Sequence, residues 1–179
     1  MPLQTDCVTT LTFTNPNICC HLICADAQPI HITFSTLRHQ KALLQLQKII
    51  PGLHFEQNLA PHPFLKNLEY YFSGRIRTLP VEPASCPFIK NDTNFRQKVW
   101  ELIGKIPYGE TRSYGEIAEE LGGRNYARAV GQACNHNPLV LAIPCHRVIA
   151  ASGSGGFAGG KTVKEYLLQM EKTLLKETS

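Results

Sequence analysis

With 179 residues, 43% of them hydrophobic, and a formal charge of +4, the chain holds enough apolar material for one full core or two small ones. No apolar run approaches the roughly 20 residues that span a bilayer, and Met1 to Cys7 lack the basic start and apolar stretch of a signal peptide. A cytoplasmic chain, nuclear if eukaryotic, with no membrane partner is therefore expected, and its charge suits a nucleic-acid partner without demanding one.

Val8–Thr14, Ile18–Cys24 and Ile30–Phe34 read as short strands separated by Asn15-Pro16-Asn17 and Ala25-Asp26-Ala27. Leu37, Leu43, Leu44 and Leu46 predict one helix, and Phe64, Leu65, Leu68 and Phe72 recur at spacings of three and four and predict a second. Pro80, Pro83 and Pro87 then crowd one stretch, which favours an extended connection over a helix and places a linker near residues 80–91. The expected fold is α+β in two domains, residues 1–89 and a mainly helical unit over residues 90–179.

In the second unit, Phe95, Val99, Leu102, Ile103 and Ile106 form the apolar stripe of an amphipathic helix, with Asp92 or Thr93 as its cap. Ser113-Tyr114-Gly115-Glu116 has the Ser-x-x-Glu form of a capping box, in which each side chain satisfies a free amide at the helix start. Ile117, Ala118 and Leu121 supply the inner face of that helix. Gly122-Gly123 permits a sharp turn, and Asn125 is placed to cap another helix over Tyr126–Cys134. Helix, glycine turn, helix is the outline of a helix-turn-helix. Its second helix carries Ala127, Ala129, Gly131 and Ala133 around Arg128. Such small residues serve tight packing between helices or close approach to another backbone, and the two readings are compatible.

Leu141-Ala142-Ile143-Pro144-Cys145-His146-Arg147-Val148-Ile149 sets an adjacent cysteine and histidine in an apolar run. An unpaired buried polar group costs about 1–3 kcal/mol, so Cys145, His146 and Arg147 need partners or a task. A thiol becomes a strong nucleophile as thiolate, a form that a nearby imidazole favours, and His146 is the nearest candidate base. Downstream, the glycine-rich stretch from Ser152 to Gly160 can bring backbone amides to a ligand. A closing helix presents Val163, Tyr166, Leu167 and Met170 on one side, with Glu171 near that face. A carboxylate there could orient His146, completing a set of nucleophile, base and orienter.

Ile143-Pro144-Cys145-His146-Arg147-Val148 resembles the active-site signature of O6-alkylguanine-DNA alkyltransferases. The resemblance runs from about Phe95 through Glu171. It takes in Val99-Trp100, Pro107-x-Gly109-Glu110-Thr111-x-Ser113-Tyr114, Arg128-Ala129-Val130-Gly131, Asn137-Pro138 and the glycine-rich loop. The first half resembles the family's variable N-terminal domain, which implies a ribonuclease H-like α/β fold.

The resemblance implies a DNA repair protein. It would flip O6-alkylguanine, and O4-alkylthymine as a further candidate, out of double-stranded DNA and move the alkyl group irreversibly to Cys145, as a monomer with no cofactor. His146 would deprotonate Cys145 through a water, Glu171 would hold the imidazole, and Asn137 would brace the loop that carries the cysteine. Tyr114 would donate a proton or hydrogen bond to the departing guanine. Arg128 would fill the gap left by the flipped nucleotide, while Ala127, Ala129 and Gly131 let the helix enter the minor groove. Backbone groups of Cys145 and Val148, with Phe157 and Ala158, would wall the pocket. Many relatives have tyrosine in place of Phe157 and some have serine in place of Ala158, a lost hydroxyl that alters pocket polarity.

Seven cysteines in a chain without an export signal point to reduced thiols. Some relatives of this family hold zinc in the first domain, and Cys7, Cys24, His31 and Cys86 form one such candidate set. The spacing is not a pair of CxxC motifs, and period two puts Ile18, Cys20, Leu22 and Cys24 on one strand face. Buried thiols and no metal are thus expected. Cys134 reads as a small residue facing the core. Two rivals remain: an alkyltransferase-like protein that binds damage without transfer, whose relatives often carry tryptophan at the cysteine position, and a cysteine hydrolase, which needs an oxyanion hole and turnover.

Overall fold

The computed structural model of the protein describes residues 7–57, 62–151 and 153–177. The expectations for Met1 to Asp6 and for Ser152 lie outside the described residues. The first half opens with β1 (Cys7–Asn15), β2 (Ile18–Ala25) and β3 (Gln28–Thr33), an antiparallel meander. Helix α1 (Thr36–Ile49), strand β4 (His54–Gln57) and helix α2 (Pro63–Phe72) follow. Strand β4 pairs parallel to β1, so the sheet order is β3-β2-β1-β4. The α+β class is as expected, but β4 was not: His54-Phe55-Glu56-Gln57 is too short and polar to show an alternation.

Strand β2 buries Ile18, Cys20, Leu22 and Cys24 while Cys19 is exposed, the face that period two predicts. Helix α1 departs from its apolar pattern. It buries Ala42 and Leu46 and leaves Leu37 and Leu44 largely in solvent, because it rests on the sheet along a narrow strip. The proline-rich stretch is also less extended than expected. It holds a 3₁₀ turn at Pro83–Ser85 and one helical turn, α3 (Pro87–Lys90), each started by proline at a position whose amide has no helical partner.

Helix α4 (Asn94–Gly104) is capped by Thr93, whose hydroxyl accepts from the Arg96 amide, while Asp92 pairs with the Arg96 guanidinium. Helix α5 (Tyr114–Glu120) starts on the complete Ser113–Glu116 capping box. The turn that follows uses Gly122 and Gly123 at φ of 113° and 152°, where side chains are strained. Asn125 caps nothing. It lies inside a 3₁₀ turn (Arg124–Tyr126) that leads into α6 (Ala127–Asn135) without a side-chain cap. The Trp100 indole donates to the Ala133 carbonyl at 2.9 Å and ties α4 to α6.

One core cluster runs through both halves, from Leu22, Leu68 and Tyr71 to Trp100, Ile143 and Leu167. Backbone bonds stitch the halves as well: the Ile32 amide donates to Pro138, and the Val140 amide donates back to Ile32. The chain ends on α7 (Lys161–Glu177), whose buried residues are Lys164, Leu167 and Glu171. Its inward face is turned by one residue from the Val163, Tyr166, Met170 side, all three of which are half-buried. No helix among the described residues is long and apolar enough to cross a membrane.

Candidate active site

The segment that carries Cys145 is held in a tight conformation by its own backbone. Leu141 adopts φ of 74°, a left-handed value costly for a branched side chain, and the Ile143 amide returns to the Leu139 carbonyl at 2.8 Å. Pro144, at φ −79° and ψ 61°, then makes an inverse γ-turn closed by the Cys145 amide on the Ile143 carbonyl at 2.8 Å. That amide is thereby committed to the turn. A 3₁₀ turn over Cys145–Arg147 leads into strand β6 (Val148–Ile149), which pairs parallel with β5 (Arg112–Ser113).

Asn137 braces this segment from the end of α6. Its Nδ2 donates to the Ile143 carbonyl at 2.7 Å and to the Cys145 sulfur at 3.0 Å, and its Oδ1 accepts from the Leu139 amide at 2.9 Å. Cys145 is only 1% exposed. Burial pushes its thiol up to about 11, against the Asn137 hydrogen bond and the Lys164 ammonium, which favour the thiolate.

Next in sequence, His146 is fully buried and its Nε2 meets Glu171 Oε1 at 2.8 Å, while its Nδ1 has no partner. Glu171 is satisfied on every side. It also accepts from Arg147 Nη2 at 2.9 Å, Arg147 Nε at 3.0 Å, the Gly109 amide at 2.8 Å and the Tyr71 hydroxyl at 2.5 Å. Burial opposes its ionisation, yet His146 and Arg147 outweigh that and hold its carboxyl at about 2. Burial also lowers His146 below the ordinary imidazole value, with Glu171 opposing the fall. With Nε2 committed to Glu171, Nδ1 is the ring nitrogen left without a partner.

A cleft of about 370 Å³ is lined by Tyr114, Arg128, Gly131, Cys134, Phe157 and Ala158 among others, and Cys145 and His146 are not among its lining residues. Arg128 is exposed on α6, while Ala127, Ala129 and Gly131 are half-buried; Gly131 faces the Tyr114 ring, which a Cβ there would meet at 3.8 Å. The Tyr114 hydroxyl donates to the Gly156 carbonyl at 3.2 Å. The Phe157 ring lies 6.4 Å from the His146 ring and 6.0 Å from Phe34 of the first half. Val148 is buried and is likewise not among the lining residues of the cleft.

Two participants escaped the sequence reading. Lys164 is completely buried and donates to the Val148 carbonyl at 2.6 Å and the Gly156 carbonyl at 3.2 Å, joining the cysteine segment to the glycine-rich loop. Its spacing of three to Leu167 and seven to Glu171 was a signal, since all three share one helix face. Tyr71 gave none, because it reaches Glu171 across a hundred residues of chain. Among the described residues no group of three or more histidines, cysteines or carboxylates is placed to hold a metal. Cys24 and Cys86 are buried, and the Cys86 thiol donates to the Ile30 carbonyl at 3.1 Å.

Residues 94–173 match the model of the 6-O-methylguanine DNA methyltransferase DNA-binding domain. A methylated-DNA–protein-cysteine methyltransferase of Methanosarcina acetivorans is 45% identical over 107 residues, which are 59% of this chain but only 65% of that relative. The chain thus spans a little under two thirds of that relative's length. The protein of the same name from Methanosarcina barkeri is 43% identical over 142 residues, covering 78% of this chain and 87% of its own. Among solved structures, Mycobacterium tuberculosis OGT in complex with DNA superimposes with a TM-score of 0.72 at 31% identity, covering 93% of this chain and 94% of that one. With a likeness that covers 93% of the chain and a family-model match that includes Cys145, the chain belongs to the methylated-DNA–protein-cysteine methyltransferase family.

Proposed function

We propose that this chain repairs double-stranded DNA by taking the alkyl group from O6 of guanine onto Cys145, once per molecule and without a cofactor. The observation that carries the reading is the Cys145 sulfur held by Asn137 at 3.0 Å, next in sequence to a His146 whose Nε2 meets Glu171 at 2.8 Å. A thiol held near 11 rests protonated, so the reaction needs a base at the moment of attack. The proton leaves Cys145 through a water to His146 Nδ1. The thiolate attacks the alkyl carbon, a carbon–sulfur bond forms, and the carbon–oxygen bond breaks with its electron pair retained by guanine. Guanine takes up a proton as it departs, with Tyr114 as donor.

The damaged base is inside a duplex, so it must be flipped into the cleft. The exposed Arg128 on α6 is the residue proposed to fill the vacated space, and Ala127, Ala129 and Gly131 allow the backbone to approach the groove. We assign residues 90–179 to the DNA-binding alkyltransferase unit and residues 1–89 to a supporting domain that acts through Tyr71. The protein is proposed to act as a cytoplasmic monomer.

A thioether has no easy leaving group, so product should rise to one alkyl group per active molecule and stop. Intact mass after incubation with O6-methylguanine duplex reads this directly, with Cys145→Ser as the control that still binds DNA but gains no methyl. Turnover beyond one equivalent points to a hydrolase, and binding with no added mass points to a protein that only marks damage. Arg128→Ala should slow repair of duplex DNA at least about tenfold, the scale of a few kcal/mol of unstacking, and leave reaction with free O6-benzylguanine nearly unchanged. Equal losses on both substrates would contradict the assigned role.

A further inference from the structure

Where α1, the start of α4 and the end of α6 meet, a second cavity of about 320 Å³ lies beside Asn137, walled by His31, Arg38, Lys41, Arg96 and His136. Its charge is one-sided. Asp92, the carboxylate on its wall, is committed to Arg96 through both oxygens, at 3.0 and 3.1 Å. Arg38 donates to the carbonyl and the Oδ1 of Asn135, both neutral, and among the described residues no carboxylate forms an ion pair with Arg38 or Lys41. The inner wall adds His31, 7% exposed, whose Nδ1 is buried with no hydrogen-bond partner.

Two cations in one cavity repel unless an anion joins them. Water does not meet that need. We propose that this cavity binds a phosphate group, held by Arg38 and Lys41 from the first half and by Arg96 and His136 from the second. Several converging donors suit the multiple oxygens of a phosphate better than a single carboxylate. The volume is roughly ten times that of one liquid water, which leaves room for an ester substituent. The phosphate is therefore either a free anion or nucleotide, or a diester of the DNA backbone. Because Asn137 forms one wall and also holds the Cys145 sulfur, an occupied cavity braces the segment that presents the cysteine. The site does not depend on the alkyl-transfer reading.

The test titrates the full chain with inorganic phosphate against chloride at constant ionic strength, following the His31 and His136 ring signals by NMR. The expected result is saturable binding at about 1 mM or tighter. Lys41 is exposed and makes no hydrogen bond or ion pair among the described residues, so Lys41→Glu should fold as before yet bind phosphate at least about tenfold more weakly, the scale of one charge-assisted hydrogen bond. A short undamaged duplex that displaces phosphate identifies the DNA backbone as the occupant, and simultaneous binding identifies a free anion; both support the site. Shifts that grow without saturation, or a Lys41→Glu variant that binds as tightly as the parent, would overturn it.

Discussion

His146 and His31 are both buried, and each has an Nδ1 with no partner, yet their surroundings differ in the sign of the charge they face. Burial lowers His146, but the Glu171 carboxylate at 2.8 Å opposes the fall and fixes the ring by its other nitrogen. Burial lowers His31 to about 3, and its charged neighbours, His39 and Arg38, lower it further. Burial alone therefore makes an inert imidazole, and a buried carboxylate is what keeps one basic and oriented. The carboxylate in turn stays ionised because His146 and Arg147 outweigh its burial, while the Gly109 amide and the Tyr71 hydroxyl also donate to it.

The most severe way to break this contrast is Glu171→Gln, which makes His146 resemble His31 and leaves Arg147 buried without its counter-charge. Breaking a buried pair costs about 3–5 kcal/mol, and loss of general-base help costs about a hundredfold or more in rate. Calorimetry and single-turnover mass measurements should show both losses, and a variant that transfers at the parent rate would remove Glu171 from the mechanism. Tyr71→Phe should do less. It deletes the hydrogen bond to the charged Glu171, about 2 kcal/mol, with a long one from Arg147 at 3.5 Å, and leaves the Arg147 and His146 contacts with Glu171 in place. Urea denaturation reads the loss, and an unchanged midpoint would mean that the first half does not support Glu171.

The smallest effect sharpens the other side of the comparison. An imidazole whose folded value lies below its unfolded 6.5 binds a proton more readily in the unfolded chain. Its contribution is complete above about 6.5 and is lost as pH falls toward 3. Between pH 7 and pH 5.5 this amounts to about 1 kcal/mol for His31. His31→Leu should flatten melting temperature against pH over that range, with a residual slope from His39, His21 and His146, which burial also lowers. An acid limb as steep as the parent's would show that His31 is already protonated or solvated in the folded state.

Reading the chain without its fold succeeds where the signal is local and fails where it is not. The capping box at Ser113–Glu116, the period-two face of β2 and the adjacency of Cys145 and His146 each depend on residues a few positions apart. The exposed Leu37 and Leu44 mislead for the opposite reason: an apolar residue on a helix says nothing of how wide the surface is that the helix meets. Asn125 has the chemistry of a cap, but a 3₁₀ turn consumed the position.

What the amino-acid order determined by itself is the set of reactive groups and the periodic faces that bring α4, α5, α6 and α7 to a common core, since hydrophobic burial reads only the spacing of apolar residues. Tertiary structure alone decided which polar groups share that core. The parallel pairing of β4 with β1 decides where α2 lies, and α2 carries Tyr71 to Glu171. The Ile32 and Val140 bonds fix the first half against the Asn137 segment, and the turned face of α7 puts Lys164 beside the glycine-rich loop. Each of these joins residues far apart in the chain, and such pairs are selected by the three-dimensional requirement that every buried charge and donor find a partner, which no sequence window contains.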